Sequence, residues 1–119
     1  MPLPLLPNLS DDDLFPLLNG CVFGYALLAL APRWRHTPRL TLALAVLYAV
    51  AYLLLLVHRL ALSDAVLNPS DIEFDTLDGI ARLFADRAAL MAGWTHYIAF
   101  DLFVARHVLL DSQARGIPH

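Results

Sequence analysis

Three long hydrophobic stretches dominate the pattern of apolar and polar positions along the chain. They cover residues 14–31, 40–57 and 88–110. The first two hold 18 residues each and no charged side chain. A helix of that length extends about 27 Å, close to the ~30 Å of a bilayer's hydrocarbon core. The pattern therefore predicts three transmembrane helices.

The segment between the second and third stretches, residues 60–87, is acidic and has a different pattern. Apolar side chains recur at helical spacing over residues 76–85, which predicts a short amphipathic helix on the membrane surface. The acidic residues of the segment match no EF-hand spacing. We therefore expect a solvated acidic loop here rather than a cation site.

Composition agrees with a membrane protein. Hydrophobic residues make up 59% of the 119-residue chain and charged residues 16%. A soluble chain this short could not bury so much apolar surface. We predict an all-α fold, a small polytopic membrane helix bundle that forms one membrane domain over residues 1–119. The net charge of −3 and the absence of lysine argue against a nucleic-acid partner.

The distribution of arginine predicts the orientation of the bundle. The connection over residues 32–39 has three arginines and no acid, whereas residues 60–87 have six acids and two arginines. The positive-inside rule then places the first connection and the C-terminus in the cytoplasm and the N-terminus outside. The first ten residues lack the basic n-region of a signal peptide, so we expect the first stretch to remain as a span.

Two polar residues stand out within the third stretch, Asp101 and His96. An ionised carboxylate near the bilayer centre costs roughly 2.5–3.5 kcal/mol, so we expect Asp101 to be protonated, paired or turned towards a cavity. A purely structural alternative is a hydrogen bond to Asn19 or Tyr97, or an ion pair with an arginine at the boundary. His96 lies about 140° from Asp101 around a helix, so the two do not pair directly.

Two stripes of side chains run along this predicted helix. One contains His96, Phe100, Phe103 and His107, and the other contains Trp94, Tyr97, Asp101 and Ala105. In the second stretch, Tyr48 and Tyr52 share a face, where they either line a ligand site or pack with their hydroxyls bonded to a neighbour. The histidines lack metal-site spacing, and no phosphate-binding or dinucleotide motif occurs, so we predict neither a metal nor a cofactor.

A specific motif lies in the third stretch: residues 94–103 read W-x-H-Y-x-A-F-D-L-F, preceded by the acidic segment at 74–86. Together they resemble the abscisic acid-deficient-four-like family of small integral membrane proteins. Plant members of that family are required for converting violaxanthin to neoxanthin, and many bacterial relatives have no assigned activity. The family pattern continues into a fourth span, which we expect to be absent from this chain. The resemblance implies the signature positions Trp94, His96, Tyr97, Asp101 and Arg106.

Two hypotheses about function remain open, and we favour the first. The protein is a membrane scaffold or carotenoid-binding subunit, in contact with membrane lipid and with a second copy or a partner membrane protein. Alternatively it is a carotenoid-epoxide isomerase, resembling neoxanthin synthase, with Asp101 as acid and His96 as base. The candidate substrate-binding residues are Trp94, Tyr97, Phe100, Phe103 and Arg106. For a bacterial-type member we expect the inner membrane.

Overall fold

The computed structural model describes residues 11–62 and 72–119, and within these ranges all regular structure is helical. The first span consists of α1 (Asp11–Leu14), a 3-10 helix (Phe15–Gly20) and α2 (Cys21–Leu30). The second span is α3 (Thr37–Val57), which continues as a π-helix (His58–Leu62). A surface helix, α4 (Leu77–Ala85), precedes the third span, α5 (Arg87–Ala114).

The prediction of an all-α bundle with three spans is confirmed. Three helices are long and apolar enough to cross a membrane: Asp12–Leu30, Thr37–Leu60 and Arg87–Ala114. The third span extends past the predicted end at 110, and a glycine in the left-handed conformation, Gly116 with φ 67°, follows it. The predicted N-terminal segment before residue 11 and residues 63–71 of the predicted acidic loop lie outside the described residues.

The second and third spans make the most extensive contact, and the first span packs against both. A close approach at Gly24 joins all three. A Cβ at this position would lie 2.8 Å from Leu102 Cδ2 of the third span and 3.3 Å from Leu44 Cδ1 of the second. Leu102 is completely buried. The bundle therefore closes where a glycine lets the helices approach, as small residues do in membrane proteins.

The 3-10 segment of the first span is fixed by a side chain of the second. The Tyr48 hydroxyl donates one bifurcated hydrogen bond, shared between the carbonyl oxygens of Leu17, at 3.1 Å, and Leu18, at 3.4 Å. Gly20 makes room for this contact, because a Cβ there would lie 2.6 Å from Tyr48 Oη. Of the two alternatives for Tyr48, packing with a bonded hydroxyl is the one observed.

The surface helix and the start of the third span are capped as their sequences indicate. The Thr76 hydroxyl accepts a hydrogen bond from the Gly79 amide at 3.0 Å, which confirms the predicted helix start. Asp86 then accepts a bond from the Ala89 amide at 3.1 Å and another from Arg59 Nε at 2.8 Å. Arg59 is buried, so this ion pair ties the end of the second span to the beginning of the third.

Candidate functional site

A groove between the second and third spans contains His96, one of the two polar residues singled out in the third stretch. Its volume is about 340 Å³ and one side is open. Three alanines and a valine line it together with four rings: an imidazole, a phenol and two phenylalanines. The lining residues are Ala45, Val46, Ala49 and Tyr52 of the second span and His96, Ala99, Phe100 and Phe103 of the third. We call these eight residues the aromatic groove.

His96 is held in the groove by ring contacts. Its imidazole meets the ring of Tyr52 edge-on, with centroids 4.9 Å apart, and lies parallel to the ring of Phe100 at 6.2 Å. The side chain is exposed on the bundle surface. Within residues 11–62 and 72–119 its nitrogens have no hydrogen-bond partner. His96 can therefore donate to or accept from a ligand that enters the groove.

Asp101 lies on another side of the third span, towards the first span. The Tyr25 hydroxyl donates a hydrogen bond to Asp101 Oδ2. Both side chains are half-buried. The expectation that Asp101 has a polar protein neighbour is confirmed, but the partner named from the sequence was wrong: Asn19 is exposed, and Tyr25 takes the place of Asn19 or Tyr97. Residues five apart on one helix face different neighbours, so His96 and Asp101 are not brought together.

The structure divides the predicted substrate-binding residues into separate groups. Phe100 and Phe103 line the aromatic groove beside His96. Trp94 and Tyr97 stack on each other outside that lining, with ring centroids 5.5 Å apart and planes at 27°. Arg106 Nε donates a hydrogen bond to the Pro38 carbonyl at 2.8 Å and so anchors the start of the second span.

Two residues of the site, Tyr25 and Tyr52, have partners that the sequence does not reveal. Tyr25 was not singled out, although a hydroxyl in an otherwise apolar span is a natural donor for an intramembrane acid. Tyr52 was recognised as a candidate for a ligand site, but nothing in its spacing indicated that His96 would face it. Among the described residues, no group of three or more histidine, cysteine, aspartate or glutamate side chains is placed to hold a metal ion.

Three apolar helices of spanning length, packed around a small core and a lateral groove, define a polytopic α-helical membrane protein. Comparison with family models shows to which family of such proteins the chain belongs. The chain belongs to the ABA DEFICIENT 4-like family, whose model matches residues 14–119. This confirms the resemblance seen in the third stretch and extends it over all three spans. A search of curated proteins and a search of solved structures each found no match.

Proposed function

We propose that the protein binds an elongated apolar lipid of the carotenoid type in the aromatic groove. The observation that carries this proposal is the groove itself, a cavity of about 340 Å³ between two spans with four ring side chains in its lining. That volume falls within the range of roughly 300–1,000 Å³ usual for small-molecule sites. A carotenoid would place one end of its polyene against these rings and extend along the bundle.

The physical advantage of a polyene over an acyl chain is its stiffness. Inside a bilayer, burying apolar surface against protein gains little, because lipid tails are as apolar as leucine. Which lipid binds then depends on its shape and on the entropy that it loses when the groove orders it. This loss is about 0.5–1.5 kcal/mol for each flexible group that becomes immobilised. A rigid conjugated chain has little such freedom to lose. Flat walls such as Phe100 and Phe103 suit a flat ligand.

His96 gives the groove a point of polar recognition. His96 lines the cavity, and its nitrogens have no partner in the described part of the chain, so a hydroxyl or epoxide oxygen on the ligand would satisfy one of them. A hydrogen bond of this kind contributes about 0.5–1.5 kcal/mol. We therefore expect oxygenated carotenoids to bind more tightly than hydrocarbon carotenes.

The isomerase alternative has narrower support. A base role for His96 is compatible with its position in the lining of the groove, but Asp101 bonds Tyr25 on another side of the helix. Among the groove residues, Tyr52 carries the other exchangeable proton. An acid–base reaction on a ligand held in this groove would therefore use Tyr52 with His96, and the pairing of Asp101 with His96 has no geometric support within one chain.

Pigment binding by the purified full chain tests the proposal. The protein is incubated with an epoxycarotenoid or with a hydrocarbon carotene, and bound pigment is measured by absorption and induced circular dichroism. Ala49→Phe fills the groove, and we expect at least about a tenfold loss of affinity, equivalent to 1.4 kcal/mol. Ala29→Phe adds the same ring at an exposed position of the first span and serves as the matched control.

His96→Phe, which keeps a ring and removes both nitrogens, distinguishes the two functions. For a binding protein, the substitution should lower affinity for the epoxycarotenoid about fivefold and leave that for the carotene unchanged. For an isomerase, conversion of the epoxycarotenoid should occur in wild type and fall by roughly 10²–10⁴ in the variant. A wild-type protein that binds neither pigment, or an Ala49→Phe variant that binds as well as wild type, would refute the groove as the site.

A further inference from the structure

The arginines of this protein fall into two groups by their partners. Outside the first connection, each arginine bonds a carboxylate or a carbonyl: Arg59 with Asp86, Arg82 with Glu73, Arg87 with Asp12, Arg115 with Asp111 and Arg106 with the Pro38 carbonyl. In the first connection, Arg33, Arg35 and Arg39 pair with no carboxylate of the described residues. Among the described residues, therefore, three cations in the first connection and in the first turn of the second span have no carboxylate partner.

Two of these arginines line a small cavity. Arg35, His36 and Arg39 enclose about 290 Å³, and we call them the arginine cup. Arg35 Nε donates a hydrogen bond to His36 Nε2 at 3.0 Å, so that nitrogen acts as an acceptor. This bond orients the Arg35 guanidinium and leaves its terminal N–H groups for a ligand. Trp34 packs edge-on against His36 at 4.9 Å and is partly exposed, as tryptophans at a membrane interface are.

The backbone beneath the cup adds positive potential. The second span begins at Thr37, and no side chain caps its first turn, which also lacks an acidic residue. The N-terminus of a helix carries a partial positive charge, which favours an anion. The Thr37 and Leu40 amides already bond the Trp34 and His36 carbonyls, and Pro38 has no amide hydrogen, so the contribution here is that of the dipole. An anion in the arginine cup would therefore interact with two guanidinium groups and a helix terminus together.

An apolar surface continues from the cup along the second span. A shallow trough of about 580 Å³ is lined by Arg39, Leu42, Ala43, Val46, Leu47 and Val50, and we call it the acyl trough. Arg39 belongs to both features. From Arg39 to Val50 the helix rises about 16 Å, close to half of the ~30 Å hydrocarbon core. One leaflet's acyl chain has this reach.

We propose that the arginine cup binds the phosphate of an anionic phospholipid and that one acyl chain of the same molecule lies in the acyl trough. The charge of the cup selects a phosphate, and the trough that starts at the shared Arg39 selects a lipid over free phosphate. The site is distinct from the aromatic groove, with which it shares Val46 alone among the lining residues. The lipid bound in the cup and the trough belongs to the layer of lipid around the protein and is separate from the ligand of the aromatic groove.

Lipid binding by the purified full chain tests this inference. Native mass spectrometry measures bound phosphatidylglycerol and bound phosphatidylcholine of the same acyl composition, and a melting curve is recorded with each lipid and with inorganic phosphate. We expect phosphatidylglycerol to bind more tightly and to raise the melting temperature, whereas inorganic phosphate at equal concentration should not. An equal rise with inorganic phosphate would overturn the lipid assignment.

Charge variants locate the site. Arg35→Gln combined with Arg39→Gln should weaken phosphatidylglycerol binding about 30-fold, from about fivefold for each juxtamembrane arginine. Arg82→Gln combined with Arg115→Gln removes the same charge from paired, exposed positions and should change binding by less than about twofold. The Arg35→Lys, Arg39→Lys variant keeps the charge and should retain the preference for phosphatidylglycerol. Equal weakening by the two glutamine pairs would refute the cup.

Two further measurements do not depend on the folding of the charge variants. The preference of wild type for phosphatidylglycerol should shrink between about 0.01 M and 1 M salt, because screening weakens exposed charge interactions. Ala43→Phe obstructs the trough and should reduce phosphatidylglycerol binding, whereas Ala49→Phe in the aromatic groove should not. A preference that is insensitive to salt, or an Ala43→Phe variant that binds like wild type, would overturn the proposal.

Discussion

The hydrogen bond from Tyr25 to Asp101 joins the first span to the third, and Tyr25→Phe removes it while preserving the ring. The substitution deletes one oxygen and leaves the half-buried carboxyl of Asp101 without this donor. We expect the free energy of unfolding to fall. The effect should be confined to the bond, because the rings of tyrosine and phenylalanine have the same shape and pack alike against the same neighbours.

The magnitude follows from the setting of the bond. Side-chain hydrogen bonds between membrane helices contribute about 0.6 kcal/mol on average and up to about 1.7 kcal/mol. Tyr25→Phe also leaves the half-buried Asp101 carboxyl without this donor, and an unsatisfied buried polar group costs about 1–3 kcal/mol, which brings the expected loss near the upper figure. Partial exposure of both side chains lowers that value. We therefore expect a loss of about 1.5 kcal/mol for Tyr25→Phe.

Equilibrium unfolding in mixed micelles, followed by tryptophan fluorescence, gives the required measurement. A double-mutant cycle with Asp101→Leu isolates the bond: in that background, Tyr25→Phe should cost less than about 0.5 kcal/mol. Tyr52→Phe is the matched control, since the Tyr52 hydroxyl has no hydrogen-bond partner among the described residues. If Tyr25→Phe costs the same with and without the Asp101 carboxyl, the bond does not stabilise the bundle.

Two other predictions follow from the fold. Gly24→Ala should destabilise the protein by about 1–3 kcal/mol, because a Cβ would meet Leu102 Cδ2 at 2.8 Å, and Leu102→Ala should relieve most of that effect in a double-mutant cycle of thermal unfolding. Simple additivity of the two would contradict the close approach. In a Cys21→Ser background, an impermeant thiol reagent added outside should label Glu73→Cys but not Arg35→Cys, and the opposite pattern would reverse the predicted orientation.

The course of the spans could be predicted from sequence because the bilayer imposes a simple requirement. A spanning helix needs an uninterrupted apolar run, so hydrophobicity alone located all three. The surface helix was equally accessible, since Thr76 is a strong capping residue ahead of an amphipathic repeat. The 3-10 segment was not predicted. The Tyr48 hydroxyl of the second span bonds this segment, and Gly20 makes room for the contact, but neither residue reveals its partner in the sequence.

The sequence predicts which residues of the candidate site share one face of the third span. It does not predict which residues of the other spans they contact. Helical periodicity placed His96, Phe100 and Phe103 together, and all three line the aromatic groove. A helical wheel gives no rotation relative to the other spans, so it could not assign Tyr25 to Asp101. Arg106 shows the same limit. Its acceptor is a backbone carbonyl 68 residues earlier, and a carbonyl has no signature in the sequence.

The 3-10 segment of the first span also sets the rotational phase between the two halves of that helix. Each 3-10 residue turns about 120° instead of about 100°, so the step from Leu18 to Cys21 gains about 60° over an α-helix. Leu18 and Leu28 then lie about 20° apart around the axis instead of about 80°. Both residues are buried in the same core. A uniform α-helix through this segment would turn Leu18 about 60° away from this core, so the 3-10 segment, to which Tyr48 is bonded, sets which face of the first span meets the rest of the bundle.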